Sequence, residues 1–197
     1  PGKVLDLKAQ GVEYSNYGAP YDKYPIDTRG VRRVLQIAGE KSGWGKRKPG
    51  NGWGMGISAH RSFNTYVASV VEVEVDAKGV VKVPRIEQVV DAGVIVNPDR
   101  VRSQMEGAAV MAIGLARTGE ISAAAGRIKQ SNFHDFQVAR MSDAPYQVNV
   151  HFVESDALPT GVGEPGLPPV LAAFGNAIHA ATGRRVREFP LSRQKLA

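Results

Sequence analysis

A chain of 197 residues with 43% hydrophobic side chains holds enough apolar material for one domain or two small ones. Its formal charge of +6 collects in KSGWGKRKPG (41–50) and GRRVREFPLSRQKLA (183–197), neither of which carries the interleaved aromatics of a base-stacking surface, so a nucleic-acid module is disfavoured. The absence of cysteine excludes disulfides, a thiolate nucleophile and cysteine-held iron–sulfur or zinc within the chain, and no apolar run reaches the ~18 residues that argue for a membrane span.

Residues 1–28, rich in Gly, Pro, Tyr and Asp, read as an extended arm lying on something else. Because the chain starts at Pro1, it reads as a piece of a longer polypeptide, and cytoplasm and periplasm both stay open. A helix follows from Thr28 as N-cap, with Val31, Val34, Leu35 and Ala38 as its apolar stripe and Gly43 as its end. KRKPGNGWG is a basic loop leading into a strand-like ISAHRSF. TYVASVVEVEVD, a DAKG turn and VVKVPRIEQVVDAG then predict a long hairpin, with Pro84 marking an edge or a bulge. Asn97 as N-cap and Pro98 at the first helical position open a helix to about Ala116. A further hairpin is expected in GEISAAAGRIKQSNF, a strand in YQVNVHFVES (146–155), and a helix in PPVLAAFGNAIHAATG closed by Gly183. Hairpins with intervening helices make the class α+β, with mixed sheets and packed helices.

Several apparent motifs carry little chemistry. GWGMG (52–56) lacks the strand-to-helix context of a dinucleotide fingerprint, so its glycines read as close-packing positions. His60, His134 and Asp135 have no metal-ligand spacing, and Ser58 and Ser62 lack the turn of a hydrolase nucleophile. Phe63, Tyr66 and Phe133 read as core residues before they read as a flat aromatic pocket. Along the helix from 97, Gly107, Ala108, Ala109 and Ala112 leave one side without bulk, and Gln104 offers an amide near the helix start. Such a side suits close approach of another helix or of a flat cofactor. Glu164 is the sharpest case: glycines precede it, Pro165 pushes it from the α region, and Pro168 and Pro169 open the next helix. The loop GVGEPG thus holds one carboxylate stiffly, as a general base requires, and burial against apolar neighbours would raise its pKa toward working pH.

GVGEPG with NAIHAATGRRVRE, VDAGVIVNPDRVRSQMEGAAVMAIG, AHRSFNTYVASVVEVEVD and QSNFHDFQVARMSDAP together resemble the molybdenum-binding subunit of the xanthine dehydrogenase/aldehyde oxidase family, in the branch of isoquinoline 1-oxidoreductase β subunits and related bacterial aldehyde dehydrogenases. The likeness covers roughly residues 29–190. It implies that 29–197 form the C-terminal part of a molybdopterin-binding, aldehyde oxidase-like domain preceded by the arm 1–28. The implied cofactor is a molybdopterin, in bacteria usually the cytosine dinucleotide, whose dithiolene and not a protein side chain holds the metal. Glu164 corresponds to the family's proton-accepting glutamate, Gln104 to its pterin-contacting glutamine, and Gly163, Val162 and Gly107 to neighbouring cofactor-binding positions. The family's subunit is much longer than this chain, and its earlier pterin-contacting loops are absent. The resemblance therefore implies a partner polypeptide completing the molybdenum subunit, an iron–sulfur subunit with [2Fe-2S] clusters, and a flavin or cytochrome acceptor. An aldehyde or an N-heterocycle would be the substrate. A catalytically silent assembly subunit of the same fold is the alternative.

Overall fold

Valine-rich runs at 67–73 and 81–90, buried on both faces for most of their length, build the sheet. A computed structural model of the chain describes residues 11, 16–194 and 196. Its elements run α1 (Thr28–Ser42), β1 (Trp53–Ser62), β2 (Thr65–Val75), β3 (Val81–Asp91), α2 (Pro98–Arg117), β4 (Ala123–Ala124), β5 (Arg127–Ile128), β6 (Gln147–Phe152) and α3 (Leu167–Thr182), with a 3₁₀ turn at Leu191–Arg193. The main sheet has the order β1-β2-β3-β6: β1, β2 and β3 pair antiparallel, and β6 joins β3 in parallel. β4 and β5 make the small expected hairpin around Ala125 and Gly126, both at positive φ. The class is α+β.

Pro84 marks a bulge and not an edge. Glu72 faces Arg85 while Glu74 faces Lys82, so β3 carries an extra residue between them, and β6 covers β3 on its far side from Arg85 onward. The bulge shifts the face parity of β3. Val81 and Val83 before it and Ile86 after it all join the core beneath α2 and α3, whereas Arg85 and Glu87 turn to the α1 side. There Arg85 bridges Glu72 and Glu87 and donates to the Ser42 carbonyl at the end of α1.

α1 covers one face of the sheet through Val34 and Ala38 against Tyr66, Ala68, Val70 and Val89. Its N-cap is Asp27 and not Thr28: the Asp27 carboxylate accepts the Arg29 amide at 3.0 Å, and the flanking Arg29 guanidinium holds that carboxyl below its ordinary pKa. Gly43 ends the helix in the left-handed region at φ 73°. Of the expected arm, residues 1–10 and 12–15 lie outside the described residues. Residues 16–27 form turns that rest on the end of β1, where Arg61 donates to the Asn16 side chain at 2.7 Å and Tyr17 stacks on Phe63.

α3 and α2 cover the opposite face. Ala109, Ala112, Ile113 and Ala116 of α2 meet Val170, Ala173, Phe174 and Ala177 of α3 over Val71, Val73 and Ile86. The alanines of α2 therefore serve helix-on-helix packing. The glycines of GWGMG lie within and just before β1, and α3 crosses their surface so closely that a Cβ on Gly54 would overlap the Ala177 carbonyl oxygen and one on Gly56 that of Ala173. No helix among the described residues is long and apolar enough to cross a membrane.

Gly56→Ala is expected to destabilise the fold by about 3 kcal/mol or more, since the added methyl meets backbone that cannot step aside. Gly175→Ala is its control on α3, where a Cβ finds its nearest neighbour, Phe189 Cζ, at an ordinary 3.6 Å. It should leave stability equal or raise it by about 0.5–1 kcal/mol. Urea denaturation of the two variants checks both signs.

Candidate functional site

The loop that joins β6 to α3 is pinned at both ends. At its start, Gly161 N–H donates to the Phe63 carbonyl at 3.0 Å and Thr65 Oγ1 donates to the Gly161 carbonyl at 2.6 Å. A Cβ on Gly161 would come within 2.7 Å of Phe63 Cβ. At its end, the Gly166 carbonyl accepts Gln88 Nε2 at 2.8 Å, and the Leu167 amide donates to the Glu164 carbonyl at 3.0 Å as α3 begins. Gly166 sits so tightly on α2 that a Cβ would reach Met105 Sδ at 2.8 Å. Pro165 is buried between these anchors. The backbone of the short run from 162 to 165 is thereby held between a part-buried attachment at Gly161 and a buried one at Gly166 while the Glu164 side chain stands exposed.

α2 meets this loop edge-on. Asn97 caps it through the Arg100 amide at 3.0 Å, Pro98 opens it, and Gln104 Nε2 reaches the Gly163 carbonyl at 3.4 Å. Val162 packs on Met105 and Val90 and shares with Gln104 a shallow groove of about 280 Å³, which also takes in Ile95, Arg100 and Val101. Gly107 lies one turn beyond Gln104 on the exposed side of α2, and nothing stands within 4 Å of where its Cβ would be. The structure thus brings Gln104, Val162, Gly163 and Glu164 together and leaves open helix surface at Gly107 beside them. It does not put Glu164 in an apolar environment: the burial expected for it is not supplied by the described residues, and its side chain is exposed.

Other candidates are dispersed. Tyr66 is core and accepts the Asp27 amide at its hydroxyl, Phe63 stacks on Tyr17 at 5.7 Å, and Phe133 is 73% exposed. Asp135 caps a surface turn, accepting the Ser131 and Asn132 amides at 2.9 Å, with His134 at 3.5 Å. No cluster of three or more His, Cys, Asp or Glu side chains among the described residues has a metal-binding arrangement. The anchors Gln88, Thr65 and Met105 escape sequence reasoning. Gln88 left one trace, a polar residue between Ile86 and Val90 in the inward-facing register of β3.

Residues 31–145 match the family model of the molybdopterin cofactor-binding domain. The chain belongs to this family. It is 34% identical to the isoquinoline 1-oxidoreductase subunit β of Brevundimonas diminuta over 80% of its own length and 20% of that protein. With the aldehyde oxidoreductase molybdenum-binding subunit PaoC of Escherichia coli K12 it shares 38% identity over 71% of its length and 20% of that protein. Among solved structures, the aldehyde oxidoreductase of Desulfovibrio gigas superposes with a TM-score of 0.56 at 27% identity, covering 64% of this chain and 14% of that one. The chain spans about a fifth of the length of the curated relatives it matches.

Two measurements test the local geometry. Gln88→Met removes one of the donors to the buried Gly166 carbonyl, with an expected loss of about 0.5–1.5 kcal/mol and faster amide exchange across residues 161–167. Two backbone amides hold the Asp135 carboxyl at about 2, below its ordinary 3.8. The stabilisation it lends the turn is complete above the ordinary value and disappears as pH falls through about 2, so the Ser131 and Asn132 amide resonances should titrate with a midpoint near pH 2.

Proposed function

We propose that this chain supplies the proton-accepting carboxylate and part of the pterin pocket of a molybdenum hydroxylase that oxidises an aldehyde or an N-heteroaromatic compound with water-derived oxygen. The observation that carries the reading is the doubly anchored 161–166 loop, which presents the exposed Glu164 carboxylate beside Gln104. The names of the relatives, an isoquinoline 1-oxidoreductase and an aldehyde oxidoreductase, support the two substrate classes.

The residues present fit a planar cofactor that brings its own metal ligands. The chain has no cysteine, while Gln104 provides an amide donor and acceptor and the α2 surface at Gly107 is clear of side chains. The group is a molybdopterin, proposed as the cytosine dinucleotide, and when bound it supplies the oxidising metal centre and the activated oxygen. Gln104, Val162, Gly163 and Gly107 would hold its pterin face. Glu164 takes the proton at its carboxylate, and its fixed backbone keeps that oxygen at reach of the reacting group. Water exclusion around Glu164 falls to polypeptide that this chain does not contain, which makes the activity a property of the assembly. The proposed assembly adds the rest of the molybdenum subunit, an iron–sulfur subunit carrying [2Fe-2S] clusters, and a flavin or cytochrome that accepts electrons.

In the assembled enzyme, Glu164→Gln should lower kcat by about 10²–10⁴-fold with an aldehyde or isoquinoline as substrate. Metal and pterin content should stay at the parental level, as cofactor analysis would record. Full turnover in the variant with both substrates would remove Glu164 from the mechanism, and an assembly holding neither metal nor pterin would return the chain to a structural role.

A further inference from the structure

β1 is an edge strand with one side unpaired. Trp53 exchanges both backbone bonds with Gly50 in the preceding loop, at 2.9 and 3.1 Å, so its polar groups point away from β2. Alternation then turns Met55, Ile57, Ala59 and Arg61 outward as well. Two side chains mark the same edge: Asn176 Nδ2 donates to the Ile57 carbonyl at 3.3 Å and the Tyr17 hydroxyl to that of Arg61 at 3.3 Å. The N–H and C=O of Met55 and Ala59 and the N–H of Ile57 have no partner among the described residues. The stretch WGMGISA carries neither charge nor proline, the features that protect a free edge.

Along this edge lies an apolar groove of about 480 Å³ between the end of α1 and the C-terminal half of α3, walled by Trp44, Trp53, Met55, Ile57 and Ala180. It sits toward the far end of α3 from the 161–166 loop. Its rim is basic: the Arg47 guanidinium lies 4.0 Å over the Trp53 ring, Lys46 and Lys48 flank it, and Arg185 contacts His179 at 3.0 Å.

We propose that this edge and groove dock an extended, acidic-flanked segment of the polypeptide that makes up the remaining four-fifths of the subunit, added as a fifth strand beside β1. The inference uses the family assignment and the chain's share of its relatives' length, and it is independent of the role given to Glu164. Strand addition satisfies the outward backbone groups of Met55, Ile57 and Ala59, apolar side chains of the segment fill the groove, and its acids meet the Lys46–Lys48 rim. A second copy fits poorly, because antiparallel self-pairing of β1 would bring that basic rim against Arg61 of the other copy.

Trp44 and Trp53 are the only tryptophans in the chain, so intrinsic fluorescence reports on the groove. The probe is a synthetic ten-residue peptide of alternating valine and threonine with two glutamates at each end. Added to the full chain at low salt, it should give a saturable blue shift, and the same peptide ended in lysines should bind at least tenfold more weakly. Ile57→Pro, which removes an outward N–H that β2 does not use, should abolish the shift with the circular dichroism unchanged. Ala180→Arg, which obstructs the groove from α3, should do the same and serves if the proline variant misfolds. In the assembled enzyme the Met55, Ile57 and Ala59 amides should exchange at least tenfold more slowly than in the isolated chain. Equal exchange in both states would overturn the proposal, as would equal binding of the two peptides, no shift with the acidic one, binding that appears only after residues 1–15 are removed, or a dimer of the chain alone that Ile57→Pro dissolves. None of these outcomes bears on the Glu164→Gln result.

Discussion

The close approach of α3 to β1 governs the rest of the architecture. Gly54 and Gly56 let the helix backbone settle where any side chain would hold it off, and the carbonyls of Ala173 and Ala177 occupy the space a Cβ would need. Seating α3 there fixes the position of its N-terminus, and the loop 161–166 starts that helix. It also brings Phe174 and Ile178 over Val71 and Val73, so the largest hydrophobic cluster forms around the same contact. Placement of the exposed carboxylate and burial of the core thus follow from one steric condition.

Rigidity at Glu164 comes from groups that take no part in chemistry. The Gly166 carbonyl, at the start of α3, takes a second donor from Gln88 of the central strand, and Thr65 holds the Gly161 carbonyl in the same way. These two side chains belong to β3 and β2, the most deeply paired part of the sheet, so the loop inherits the order of the core. Gln104 is the exposed counterpart on α2. The separation is economical in structural terms: the buried Gln88 amide and Thr65 hydroxyl position the backbone, and the Glu164 side chain stands exposed.

The two faces of the molecule differ in what they leave unfinished. At the α2 side, Glu164, Gln104 and the bare surface at Gly107 stand exposed among the described residues. At the β1 edge, backbone groups of Met55, Ile57 and Ala59 lack partners among the described residues beside a groove lined by two tryptophans. α3 spans both, with its N-terminus at the first and His179 at the second.

Much of the local structure was legible from residue order alone, because it depends on neighbours in the chain. The hairpin of β2 and β3, the Asn97 cap and Pro98 start of α2, and the Gly43 and Gly183 stops follow from period-two alternation, short-range capping and left-handed glycine. The stiffness of GVGEPG was legible too, since proline and glycine restrict or free the backbone wherever they stand. What the tertiary structure alone decided involves partners distant in sequence. The parallel union of β3 with β6, the interior position of Pro84, the Gln88 anchor 78 residues from Gly166, and the inward turn of Ala108, Ala109 and Ala112 while Gly107 stays outside are all set by which surfaces meet. Residue order specifies the torsional preferences of each segment, and only the packed fold specifies which polar groups lose water and must therefore find one another.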